Sequence, residues 1–287
     1  MRIADTAPIR DPDAARAFLD RLEREARRLE TPCGAGAMVW RLWGGGPALV
    51  LLHGGAGSWR HWARNIRAAA QSHTVIAPDL PGLGDSAPAP HPVGAEAIAS
   101  ILARGLDIVL GGEEPYDLAG FSFGAVIAGL LAGNASSRVR SLTLIGAGGL
   151  GPPSRSVPLE RVRDKSGAER TLAHRTNLAR LMLFDPAAID ALAVAIQDEN
   201  SKRARLVSGA MWISPVLREV LPRLRTPVYG VWGEHEMADR PLLDVRVALL
   251  REAHPDVRIE IVERAGHWVF FEAAETFNAI LSRILAG

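Results

Sequence analysis

The hydrophobic positions of this chain fall into short, nearly unbroken runs, separated by longer stretches in which apolar residues recur every three or four positions. Residues 38–42, Ala48–Leu52, 74–77, Tyr116–Phe121, 142–145, 228–232 and Arg258–Val262 predict strands. Several have the continuous Val, Ile and Leu character of strands covered on both faces. Residues 59–70, Ala95–Leu110, 123–131, 242–251 and 272–285 predict helices between them. Such alternation implies an α/β fold, with a mostly parallel central sheet flanked by helices on both sides. Ahead of the first strand, residues 11–30 predict a helix whose apolar stripe is Phe18, Leu22, Ala26 and Leu29, opposite a face of Arg and Glu. A stripe of this kind docks on the protein's own core; a dimer contact is the alternative.

One stretch breaks the rhythm. From Pro152 to Pro222 no strand pattern occurs, and the sequence reads as several helices punctuated by Asp185-Pro186. A helical insertion between two strands of a parallel sheet lies over one end of that sheet. The expected organisation is therefore a core in two parts, 1–151 with the N-terminal helix and 223–287, with a helical cap at 152–222.

Composition narrows the partners. Lys and Arg number 33 and Asp and Glu 32, a balance that argues against nucleic acid or an anionic membrane surface as partner. No run approaches the 18 apolar residues of a membrane span, and Met1–Asp5 lacks the apolar core of a signal peptide. The single Cys33 cannot form an internal disulfide, which fits a reducing, cytoplasmic setting. The eight histidines are dispersed without ligand spacing, so neither a metal nor a cofactor is expected. These features leave a soluble protein, monomer or homodimer, that handles a small molecule.

The candidate chemistry sits where predicted strands end. Gly120-Phe121-Ser122-Phe123-Gly124 lies between a strand and a helix, the pattern of a nucleophile elbow. The glycines admit a turn too sharp for bulky neighbours, and the new helix favours negative charge near the serine oxygen. Five residues alone are a weak signal in a chain with 28 glycines; the flanking strand and helix strengthen it. His53-Gly54-Gly55-Ala56-Gly57 follows an earlier strand and offers free N–H groups for an oxyanion. It lacks the Gly-Lys-Ser/Thr of a phosphate loop. Asp79 and Asp85, in a turn rich in Pro and Gly, read as carboxylates bonded to turn N–H groups. Further on, Gly233-Glu234-His235-Glu236 and Gly266-His267-Trp268 end two late strands, so serine, acid and histidine run in the order 122, 236, 267. In that arrangement His267 takes the Ser122 proton and Glu236 holds the imidazole tautomer.

Together these pieces resemble the α/β-hydrolase superfamily from Met38 onward. The resemblance implies an enzyme without cofactor, a helical cap, and oxyanion donors at the N–H groups of Gly55 and Phe123. It places His53, Gly54 and Trp268 beside the substrate, although His53 at the head of its loop also suits an ordering role. The family acid is usually Asp at the position of Glu236, which leaves Glu234 and Asp239 as alternatives. Ser122 implies acyl chemistry, unlike the aspartate of haloalkane dehalogenases and epoxide hydrolases. Trp268 and the segment Asn177–Pro186 are similar to the capped hydrolases that cleave C–C bonds in ring-fission products. Those enzymes carry a cap arginine where residues 189–196 here have none, and an asparagine where this chain reads Ala56-Gly57-Ser58. Hydrolysis of a small carboxylic ester is the leading expectation. C–C or amide hydrolysis, a haloperoxidase-like reaction and a catalytically silent binding protein on the same fold are the alternatives.

Overall fold

The computed structural model describes residues 6–134, 138–151, 157–236 and 240–287. Helix α1 (Pro12–Arg24) leads into strands β1 (Arg27–Cys33), β2 (Gly36–Gly44) and β3 (Ala48–Leu52). There follow α2 (Ile66–Ala69), β4 (Thr74–Pro78), α3 (Ala95–Leu110), β5 (Tyr116–Phe121), α4 (Phe123–Asn134) and β6 (Val139–Ile145). Helices α5 (Gly167–Asn177), α6 (Ala191–Arg203), α7 (Gly209–Trp212) and α8 (Val216–Val220) separate β6 from β7 (Val228–Gly233). The chain closes with α9 (Arg240–Ala253), β8 (Arg258–Val262), α10 (Val269–Glu272) and α11 (Ala274–Leu285).

The eight strands form one sheet in the order β1-β2-β4-β3-β5-β6-β7-β8. The pairs from β4 through β8 are parallel, whereas β2 runs antiparallel to both β1 and β4. Alternate side chains of each central strand enter opposite layers. Val50 and Leu52 of β3, with Leu118 of β5, join the layer of α3 and α4. Leu49 and Leu51, with Ala119 and Phe121, join the layer of α1, α10 and α11. Strands buried on both faces explain why the sequence showed continuous apolar runs. Helix α4 is buried from Phe123 through Ala132, so it has no polar face to show.

Two sequence expectations need correction. The predicted helix at 11–30 stops at Arg24, and Arg27–Cys33 forms the edge strand β1. Its polar residues face outward on an edge, and only Thr31 and Cys33 are buried, so its pattern imitates a charged helix face. Pro32 is tolerated there because an edge strand has N–H groups without ladder partners. Residues 59–70 are likewise a 3₁₀ turn, Trp59–Trp62, followed by the single-turn helix α2. Among the described residues between β6 and β7 every regular element is helical, as the sequence implied, including a π-helical turn at Leu178–Met182. No helix among the described residues is long and apolar enough to cross a membrane.

Helix α1 docks on its own chain. Ala15, Phe18, Leu19 and Leu22 are buried, and Trp43 Nε1 donates to Leu22 O at 2.7 Å. Next to it, Arg64 and Asp190 form an ion pair at 2.6 Å with side chains 4% and 1% exposed. The same Asp190 accepts from Ile9 N at 2.7 Å and caps α6 through Ala193 N at 2.9 Å. One carboxylate thus ties the N-terminal segment, the core and the α6 helix together. Asp190→Ala strands a buried guanidinium and uncaps α6, and is expected to cost about 3–5 kcal/mol. Urea unfolding of the variant checks this, and an unchanged midpoint contradicts it.

Candidate active site

Four loops leave the C-terminal ends of β3, β5, β7 and β8 and bring their side chains to one end of the sheet, where parallel α/β sheets bind ligands. The turn after β5 carries Ser122 with a backbone φ of +53°, a left-handed conformation that side-chain-bearing residues seldom adopt. Its N–H donates to Ile145 O at 2.8 Å, and the residue is partly exposed. The glycines on either side are required by close approach. A Cβ at Gly120 would stand 2.4 Å from Gly124 O, and one at Gly124 would stand 2.4 Å from His53 O. The elbow therefore packs directly on the loop after β3.

That loop brings Gly55 against the elbow, since a Cβ built on Gly55 would lie 3.8 Å from Phe123 Cβ. Phe123 opens α4, so its N–H has no acceptor within the helix and lies at the positive end of the helix dipole. Gly54 packs on Phe121 and Ser122. His53 is fully buried, with Nδ1 donating to Gly54 O at 2.8 Å and Nε2 accepting from Leu80 N at 2.9 Å. Burial pushes its pKa down against the attraction of Asp79, so it stays neutral. Both nitrogens are committed to backbone, and His53 orders the loop. Trp268 is also fully buried; its Nε1 donates to His61 O at 3.2 Å and its ring stacks on Phe271 at 4.2 Å. The structure thus sets His53 and Trp268 in the wall of the site, where their polar atoms hold the backbone around it.

The acid and the histidine meet from different strands. His267, after β8, places Nδ1 2.5 Å from Glu236 Oε1, after β7, with side chains 5% and 0% exposed. A carboxylate accepts, so the proton sits on Nδ1 and the lone pair on Nε2. The imidazole is wedged beside Phe121, ring centroids 4.8 Å apart, and against Gly146, where a Cβ would come within 2.9 Å of it. Phe121 immediately precedes Ser122, so the histidine lies next to the elbow. Glu234 turns elsewhere: it is 36% exposed and accepts from Arg264 N at 3.2 Å. Asp239, the other alternative acid, lies outside the described residues.

Asp79 takes the structural part assigned to it, whereas the Asp85 carboxylate pairs with arginines instead of turn N–H groups. Asp79 accepts from Trp59 N and Asp85 N at 2.9 and 3.0 Å and from Arg41 at 3.0 Å. Asp85 pairs with Arg41 and Arg203; burial alone would raise its carboxyl, but Arg41 above all, with Arg203, holds it below the usual range. Among the described residues no group of three or more His, Cys, Asp or Glu side chains could hold a metal ion.

Four neighbours of the site escaped the sequence reading. His61 is buried among His53, Phe121 and Trp268, and its pKa is driven well down by burial and then by His53 and His267. Ser208 sets its Oγ 2.6 Å from where a Gly55 Cβ would be, and Trp212 of α7 lies against Gly148. Arg246 of α9 reaches Glu236. Three of them lie 86 or more residues from Ser122 along the chain, and no local spacing marks them.

Sheet, turn and inserted helices define a chain of the α/β-hydrolase fold. The model of the alpha/beta hydrolase family matches residues 49–280, and the chain belongs to that family. Among curated relatives, a 2-hydroxy-6-oxononadienedioate/2-hydroxy-6-oxononatrienedioate hydrolase of Comamonas testosteroni is 30% identical over 263 residues, covering 85% of this chain and 89% of that protein. The dihydrolipoyllysine-residue acetyltransferase component of the acetoin cleaving system of Cupriavidus necator is 28% identical over 251 residues, 85% of this chain. The match spans 65% of that longer protein. The crystal structure of the esterase RhEst1 from Rhodococcus sp. ECU1013 superposes with a TM-score of 0.72 at 21% identity, covering 92% of this chain and 99% of that one, a likeness of fold.

Proposed function

We propose that the protein is a serine hydrolase that cleaves a small carboxylic ester through an acyl-enzyme on Ser122. The observation that carries this reading is the buried His267–Glu236 pair at 2.5 Å beside the strained elbow. In the proposed reaction Ser122 Oγ attacks the acyl carbonyl carbon as His267 Nε2 takes its proton. The oxyanion accepts from the N–H groups of Gly55 and Phe123. Collapse breaks the C–O bond, and the imidazolium returns its proton to the departing alkoxide. Water, activated by the same histidine, then releases the acid and restores Ser122. Glu236 fixes the tautomer and stabilises the imidazolium throughout.

The name of the Comamonas testosteroni relative supports a second reading, C–C hydrolysis of a ring-fission keto-acid. Such a substrate carries a carboxylate that asks for a cap cation. Two polar side chains of α5 that could offer such a contact have local partners: Arg175 donates to Ile189 O at 2.8 Å, and His174 lies 3.3 Å from Asp198. Ester hydrolysis makes no such demand. A panel of p-nitrophenyl esters and amides and ring-fission products, each assayed with wild type and Ser122→Ala, separates the readings. Ser122-dependent turnover of short-chain esters above the other classes is expected. Turnover of a ring-fission product with inert esters selects the C–C reading.

A further inference from the structure

Glu236 is an unusual acid for its position in two respects. It is one methylene longer than the family's aspartate, so one more torsion must be fixed before its oxygen meets the histidine. It is also fully buried, and both of its recorded partners use Oε1, while Oε2 has none. A long carboxylate held at one oxygen needs an anchor that sets its direction and matches its charge.

We propose that Arg246 is that anchor, a positioning residue that aims Glu236 at His267; the inference rests on Glu236 being the acid of the proposed reaction. Nη1 of Arg246 donates to Glu236 Oε1 at 3.1 Å, the oxygen that faces His267 Nδ1. The two side chains are 5% and 0% exposed, so the attraction is little screened. The planar guanidinium is itself fixed: its carbon stands 5.2 Å from the centroid of the Trp212 ring on α7. A helix from the core and a helix from the insertion thus hold one cation against the acid. This supplies what the extra methylene takes away, a single orientation for the carboxylate oxygen.

The rival explanation is that the ion pair only fastens α9 to the fold. A double-mutant cycle separates the two, because an anchor matters only while its carboxylate is present. Arg246→Met, Arg246→Lys and Glu236→Gln, and Arg246→Met combined with Glu236→Gln, are compared for kcat and KM on a p-nitrophenyl ester. Arg246→Met is expected to lower kcat by about threefold to a hundredfold with KM within about twofold, and Arg246→Lys to recover part of the loss. In the Glu236→Gln background the same change is expected to have no further effect on kcat. An equal loss in both backgrounds, or wild-type kcat in Arg246→Met, overturns the proposal while leaving Glu236 as the acid. Wild-type turnover in Glu236→Gln overturns both. If Arg246→Met does not fold, Arg246→Gln replaces it throughout the cycle, with the same readings; kcat in the order wild type, Lys, Gln is then expected, and equality of Gln with wild type overturns the proposal.

Discussion

Ser122→Ala is expected to lower kcat for the preferred ester by about 10⁵- to 10⁶-fold, with little change in the fold. The reason lies in the geometry of the elbow. Ser122 alone among the site's side chains is a partly exposed hydroxyl carried on a left-handed turn at a helix N-terminus. Alanine fits the same turn, and the Ser122 N–H bond to Ile145 O is made by the backbone, so it survives the change. Loss of turnover with an unchanged circular dichroism spectrum and melting temperature would therefore report the missing oxygen. A variant that keeps more than about a tenth of wild-type kcat would mean that another group, or a directly activated water, attacks the substrate.

Glu236→Gln carries the second-largest expected effect, a fall in kcat on the order of 10³- to 10⁴-fold. An amide in place of the carboxylate can present N–H to His267 Nδ1, which moves the ring proton to Nε2 and leaves no base for the serine. It also removes the charge that stabilises the imidazolium. Glu234→Gln should change kcat by less than about threefold, because that carboxylate is 36% exposed and accepts from Arg264 N in the loop after β8 rather than from the His267 ring. Steady-state kinetics on both variants tests the assignment. Near-normal turnover in Glu236→Gln beside a collapse in Glu234→Gln would exchange their roles.

Much of this arrangement was legible in the sequence because it is local. Several of the seven predicted strands, such as Ala48–Leu52, are nearly continuous apolar runs, and burial on both faces is what such a run encodes. The elbow was readable because two glycines, a serine, a strand and a helix are consecutive. Glu236 and His267 stood out because each lies within a few residues of the end of a late strand, beside a glycine-containing turn. What failed was equally physical. Strand β1 has one half-buried face on the sheet edge, and its arginines and glutamate resemble a helix surface. At Trp59–Trp62 the apolar spacing suggested a helix, but Ser58 and Asp79 bond the backbone into a tight turn. Arg246 and Trp212 matter through contacts that only the folded chain creates, between α9, α7 and the loop after β7.

The most direct test of the central claim is the mass of the protein after reaction with a fluorophosphonate. The account predicts one adduct per chain, mapped by peptide sequencing to Ser122, formed quickly in wild type, slowly in Glu236→Gln and absent in Ser122→Ala. Labelling of Ser122→Ala at the wild-type rate, or an adduct mapped to any other residue, would contradict it.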